Sequence, residues 1–194
     1  MSFDNAFAKM SLNEGGYSNN KADLGGETYN GISRKYHPKW SGWTIVDSLK
    51  TKYTSVASLN KALKASTKMK DAIKEFYFDN YWKAPKFDKV DEVNEAIAEK
   101  LFDTAVHLNP ERPSKWLQEA LNILNRNGQK YANITVDGKI GNKTIEALKK
   151  CLSCNPASRV LTVIKIYQGS HYVSRMQERP DQQVFVGWID RVGM

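Results

Sequence analysis

The apolar residues of this chain recur at intervals of three and four over almost its whole length, and that rhythm fails once. Phe3, Phe7 and Met10 begin it; Val56, Leu59 and Leu63, then Met69, Ile73, Phe76 and Asn80, then Val93, Ile97, Leu101, Ala105 and Leu108 continue it. Such spacing lays one apolar stripe along a helix and demands a facing stripe to bury it. Between Tyr17 and Ser33 the rhythm gives way to Asn19, Asn20, Asp23, Gly25, Gly26, Asn30 and Gly31, the residues of turns and short strands. The pattern predicts a mainly α chain of the α+β kind: a helical bundle with a small β-hairpin lobe after the first helix.

Further along, Trp116, Leu117, Ala120, Leu121 and Leu124 mark a helix closed by Asn127-Gly128. Asp137-Gly138 then makes a turn, and Asn142 stands where it would cap a helix containing Ile145 and Leu148. Val160, Ile164 and Tyr167, followed by Val184, Phe185, Trp188, Ile189 and Val192, predict two more helices separated near Arg179-Pro180. Asn109-Pro110 and Arg112-Pro113 punctuate the middle of the chain.

With 194 residues, 41% of them hydrophobic, the chain can bury one sizeable core or two small ones. Its apolar runs are too short to span a bilayer, and Met1 to Asn13 carries Asp4, Asn5, Lys9 and Asn13 where a secretion signal needs an unbroken apolar stretch. The expectation is a protein made in the cytoplasm without membrane span or general export signal.

The net charge of +8 favours an anionic partner. Ten lysines against four acids between Leu49 and Lys89 supply most of the excess, at helical spacing, which reads chiefly as a solvated helix face. No helix-turn-helix, zinc or RNA-binding signature accompanies the charge, so nucleic acid is not an expected partner. Cys151 and Cys154 form a C-x-x-C at the end of a predicted helix, and His37, His107 and His171 are scattered. Two ordinary thiols, with no metal and no cofactor, is the reading.

Chemistry concentrates where the first stripe ends. The next position after Met10 in that series is Glu14, followed by Gly15-Gly16. A carboxyl at the end of an apolar stripe loses hydration, which raises its pKa toward the range where it donates a proton near neutrality. Two glycines beside it leave room for a bulky ligand such as a sugar ring. Taken alone, Glu-Gly-Gly reads more simply as a fraying helix end. Asp23, nine residues on, and Thr28, five further, alter the balance. A protonated acid, an ionised carboxylate at loop distance and a hydroxyl to hold water are what glycoside hydrolysis requires. Tyr17, Tyr29, Trp40, Trp43, Tyr81 and Trp82 offer aromatic faces of the kind that pack on pyranose rings, although aromatics are more often core.

The run Glu14-Gly15-Gly16-Tyr17, with Asp23, Gly25-Gly26, Thr28, Asn30 and Gly31-Ile32, resembles the signature of glycoside hydrolase family 108, peptidoglycan muramidases that include phage endolysins and bacterial secretion activators. The resemblance continues through Tyr81-Trp82, Phe102-Asp103, Trp116-Leu117-Gln118, Asp137-Gly138-Lys139-Ile140-Gly141 with Thr144, and Gly187-Trp188 with Arg191. It implies a lysozyme-like catalytic domain over 1–92 and a helical peptidoglycan-binding domain over 93–194. It implies Glu14 as catalytic acid; the spacing and chemistry of the neighbouring residues add Asp23 and Thr28 to hold the attacking water, and Tyr17, Tyr29, Asn30, Tyr81 and Trp82 as candidate substrate contacts. The implied partner is the peptidoglycan glycan strand, met by a monomer in the cell wall or periplasm after release through a pore or dedicated secretion system. The implied reaction is hydrolysis of the MurNAc–GlcNAc bond. A lytic transglycosylase and a non-catalytic wall-binding secretion accessory are the alternatives.

Overall fold

A computed structural model of the chain describes residues 2–11, 15–19 and 25–193. Residues 3–80 and 81–194 form two compact units.

In the first unit, helix α1 (Ser2–Ser11) precedes three short strands, β1 (Ser18–Asn19), β2 (Glu27–Tyr29) and β3 (Ile32–Ser33), and helices α2 (Gly42–Lys50), α3 (Val56–Ala65) and α4 (Thr67–Tyr77) follow. The strands form an antiparallel sheet in the order β1-β2-β3, one strand more than a hairpin. Asn30 (φ 50°) and Gly31 (φ 78°) make the two-residue turn between β2 and β3, the left-handed pair that matches strand twist. The side chains of Ser55 and Ser66 cap α3 and α4 by accepting from the Ser58 and Met69 amides. The α1 stripe stacks Phe3 on Phe7 and sets Phe3 edge-on to Phe78, with ring centroids 5.7 and 5.0 Å apart.

Trp40 and Trp43 belong to this core. Their rings meet edge to face at 5.1 Å, and their indole N–H groups donate to the Ala72 and His37 carbonyls. A Cβ at Gly42 would lie 2.3 Å from the Trp40 ring, so the start of α2 closes on that indole only because residue 42 has no side chain.

The second unit begins within a π-helical turn, Phe78–Lys83, that continues α4. It contains α5 (Phe87–Asp91), α6 (Glu95–Leu108), α7 (Glu111–Leu124), α8 (Asn142–Leu152) and α9 (Ala157–Glu178). α6 packs on α5, α7 and α9, and α7 also packs on α8 and α9. Phe87, Ile97, Leu101, Phe102, Leu117, Leu121, Leu148, Ile164 and Tyr172 are closed to solvent there. α8 begins at Asn142 itself, with Gly141 at the cap position and no side-chain cap bond.

The final apolar series does not form the second long helix that its spacing predicts. Pro180–Trp188 is a 3₁₀ run with a non-helical kink at Phe185, and only Asp190–Gly193 (α10) returns to α geometry. Val184, Phe185 and Val186 in this run are all exposed.

The Asp137-Gly138 turn is clasped by a buried amide. The two hydrogens of Gln118 Nε2 serve Asp137 Oδ1 (2.8 Å) and the Lys139 carbonyl (3.1 Å), with Thr144 Oγ1 3.3 Å away, and its Oε1 accepts from the Gly138 amide (2.8 Å). Gly138 has φ +76°, and a Cβ there would sit 2.7 Å from Glu111 Cγ. Gln118, Asp137, Gly138 and Thr144 thus form one structural device that fixes the approach to α8.

Candidate active site

Glu14 and Asp23 lie outside the described residues, and the candidate site is built from what flanks them: Gly15 to Asn19, the sheet, and the helices beneath it. The glycine doublet divides its roles. A Cβ on Gly15 would meet nothing within 4 Å among the described residues, whereas one on Gly16 would lie 2.6 Å from Asn60 Oδ1. That oxygen accepts the Tyr17 amide at 2.6 Å, so Gly16 lets α3 hold the strand's entry by its backbone.

Alternation along β2 sends Glu27 and Tyr29 to one face and Thr28 to the other. On the inner face, Glu27 gathers three donors. Its Oε1 accepts from the Tyr17 hydroxyl (2.7 Å) and Lys50 Nζ (2.8 Å), and its Oε2 from Arg34 Nη1 (2.8 Å). Arg34 also pairs with Asp47 (2.6 Å) and lies 4.7 Å from the centre of the Trp43 ring. Burial by itself would raise the Glu27 pKa. The Lys50 and Tyr17 hydrogen bonds and the charges of Lys50 and Arg34 outweigh it and hold the carboxyl below its ordinary value. Burial, followed by the bond to Glu27, raises the Tyr17 phenol. Two carboxylates and two cations balance here. Glu27 therefore stays ionised at neutral pH and fastens the sheet to α2; it has no proton to donate as an acid.

On the outer face, Thr28 stands directly between its cross-strand partners Ser18 and Ser33. The three hydroxyls form a row that runs from exposed Ser18 through half-buried Thr28 to buried Ser33. Ser33 Oγ donates to the Gly25 carbonyl at 2.6 Å, and Thr28 Oγ1 donates to the Gly26 carbonyl at 3.3 Å. With its proton directed to Gly26, what Thr28 offers a water or sugar hydroxyl is oxygen lone pairs.

The aromatic residues that the sequence suggests as sugar platforms are placed differently. Tyr29 (3% exposed), Tyr17 (7%) and Trp82 (2%) have their rings in the packing rather than on a surface. Asn30 contributes its left-handed turn and a carbonyl that accepts the Tyr77 hydroxyl at 2.9 Å. Trp82 meets Phe102 edge to face at 5.7 Å, and Tyr81 is half-buried beside it in the π turn; both belong to the second unit. The sheet thus brings together Tyr17, Thr28, Tyr29 and Asn30.

Glu27, Arg34, Lys50 and Asn60 escape sequence reasoning. Lys50 is hidden in the lysine-rich stretch that reads as a solvated face. Glu27 carries one usable signal: a lone acid next to Thr28 in a short strand otherwise without charge. Among the described residues no group of three or more His, Cys, Asp and Glu is placed to hold a metal ion, and no helix is long and apolar enough to cross a membrane.

Comparison with known proteins agrees with this architecture. Residues 7–108 match the family model Glycosyl hydrolase 108, and residues 112–193 match the model of a predicted peptidoglycan domain. Among solved structures, Brucella abortus SagA shares the fold at a TM-score of 0.59 and 24% identity, over 99% of this chain and 90% of that one. No curated protein matches the chain. The first model covers more than half the chain, and the chain belongs to glycosyl hydrolase family 108.

Proposed function

We propose that this member of glycosyl hydrolase family 108 is a peptidoglycan N-acetylmuramidase that hydrolyses the β-1,4 bond between N-acetylmuramic acid and N-acetylglucosamine. The observation that carries the reading is the family match over residues 7–108, which contains Glu14-Gly15-Gly16 immediately before a sheet whose outer face is a row of hydroxyls. The adjoining match to a peptidoglycan domain supports the same polymer as partner.

In this mechanism Glu14 enters protonated and gives its hydrogen to the glycosidic oxygen as the bond to the anomeric carbon lengthens. Positive charge develops on the sugar ring. Asp23, ionised, takes a proton from a water that Thr28 orients through its lone pairs, and the water attacks the opposite face, inverting the centre. Inversion requires the two carboxyls to stand roughly 6.5 to 9.5 Å apart to admit that water. The basic surface favours encounter with a wall rich in carboxylates and phosphates. Release through a pore or dedicated secretion system brings the enzyme to that wall.

Clearing of a purified peptidoglycan suspension tests the proposal. Wild type lowers turbidity, and Glu14→Gln, which keeps the shape but removes the transferable proton, abolishes clearing; equal clearing by both proteins ends the assignment. Mass spectrometry of the fragments should show reducing ends one water heavier than anhydro ends. Anhydro products would instead make the enzyme a transglycosylase and remove Asp23 from the chemistry.

A further inference from the structure

A second groove, within the second unit, has the charge pattern of a peptide site. It runs between the α5 segment and α8, with a volume of about 420 Å³. Asn142, Ile145, Glu146 and Lys149 line it from α8, at the i, i+3, i+4, i+7 spacing of a single helix face. Lys86 and Val93 face them from the α5 side. Two of the groove's lysines are neutralised locally, Lys83 by Asp88 and Lys89 by Glu92, at 2.8 and 2.6 Å. Lys86, Glu146 and Lys149 have no ion-pair partner among the described residues, and all three are exposed. Lys86 is also held at φ +62°, a left-handed conformation uncommon for a residue with a side chain.

What remains after the internal pairs is two cations and one carboxylate around an aliphatic floor of Val93 and Ile145, with the Asn142 amide at one end. A polyanion such as nucleic acid or a phosphate polymer would meet Glu146, Asp88 and Glu92 along with the lysines. A short peptide carrying carboxylates and one free amine on an aliphatic backbone meets complementary charge at each position.

We propose that this groove binds the stem peptide of peptidoglycan, Lys86 and Lys149 taking its carboxylates and Glu146 its side-chain ammonium. The proposal rests on the muramidase reading for its choice of ligand. On this assignment the second unit grips the peptide while the first unit addresses the glycan.

Titration of the full chain with the sugar-free, N-terminally acetylated tripeptide N-acetyl-L-Ala-γ-D-Glu-meso-diaminopimelate, whose one free amine is on the diaminopimelate side chain, followed by calorimetry and by amide NMR shifts, tests the assignment. Saturable binding is expected, with shifts at residues 142–149 and 86–93. Lys86→Ala with Lys149→Ala should weaken it at least tenfold, and acetylation of the peptide's side-chain amine should weaken it for wild type but not for Glu146→Gln. Lys150→Ala, an exposed neighbour that does not line the groove, should leave affinity unchanged. Absence of saturable binding by wild type, equal affinity in the double variant, or displacement of the peptide by polyphosphate would overturn the proposal. Binding is read without turnover, so a chain that binds the tripeptide but clears no wall sinks the muramidase reading alone. A chain that clears walls but ignores the tripeptide sinks this one alone.

Discussion

Replacing Glu27 by Gln tests whether the sheet is held by one carboxylate. All three of its neighbours, Tyr17, Arg34 and Lys50, donate to it. A glutamine has one accepting oxygen and one donating nitrogen, so whichever way it turns, its NH₂ meets a donor. At least one charge-assisted hydrogen bond is lost, worth about 1.5–3 kcal/mol. The side chains of Arg34 and Lys50 are 31% and 37% exposed, so solvent screens the lost attraction to a further ~0.2–1 kcal/mol each. The expected destabilisation is about 2–5 kcal/mol, which lowers Tm by roughly 4–20 °C. Because the Glu27 pKa is lowered by folding, its contribution is fully present above the ordinary carboxylate value and disappears as pH falls through the lower folded value. Urea unfolding of wild type and Glu27→Gln, monitored by tryptophan fluorescence, should therefore show the full difference at neutral pH and a shrinking one as pH falls below the ordinary carboxylate range. A difference below about 1 kcal/mol at neutral pH, or one that persists undiminished in acid, refutes the assignment of the sheet's anchorage to this carboxylate.

Gln118→Leu removes every bond of the clasp on the Asp137 turn and leaves the Gly138 amide without its acceptor; unfolding should become easier by about 2–4 kcal/mol, and an unchanged denaturation midpoint would show the clasp to be idle. Gly138→Ala combines a left-handed φ with a Cβ against Glu111, so a loss of about 1–3 kcal/mol is expected in the same assay. Burial, then the charges of Arg191 and His171, pushes the His107 pKa down from 6.5 to about 4. The unfolded chain takes up that proton first, so stability should fall by about 3 kcal/mol between those two pH values, and a pH series on His107→Asn should lose that slope.

The helical stripes were legible because amphipathic periodicity is a local property: Phe3, Met10, Met69, Ile73, Ile97 and Leu101 announce the faces they bury. The turn residues at Asn30-Gly31 and the breaks at Asn109-Pro110 and Arg179-Pro180 were legible for the same reason, whereas Arg112-Pro113 falls in the first turn of α7, where proline is tolerated. The aromatic residues were not, because Tyr17, Tyr29 and Trp82 look alike whether they stack on a ligand or fill a core. Only their surroundings in space decide between the two. The last apolar series misled because Pro180 and the kink at Phe185 convert helical spacing into a 3₁₀ run.

The sequence by itself determined the helical class of the chain, the position of the small sheet, and an acid set before two glycines. The tertiary structure decided what the remaining charges do. Glu27 is joined to Lys50, 23 positions further along the chain, and Gly16 to Asn60 by close approach, while Lys86 and Lys149 come to face each other over one groove. A pairing of that kind depends on how helices pack against a sheet or against each other, and no local pattern of residues encodes the distance between them.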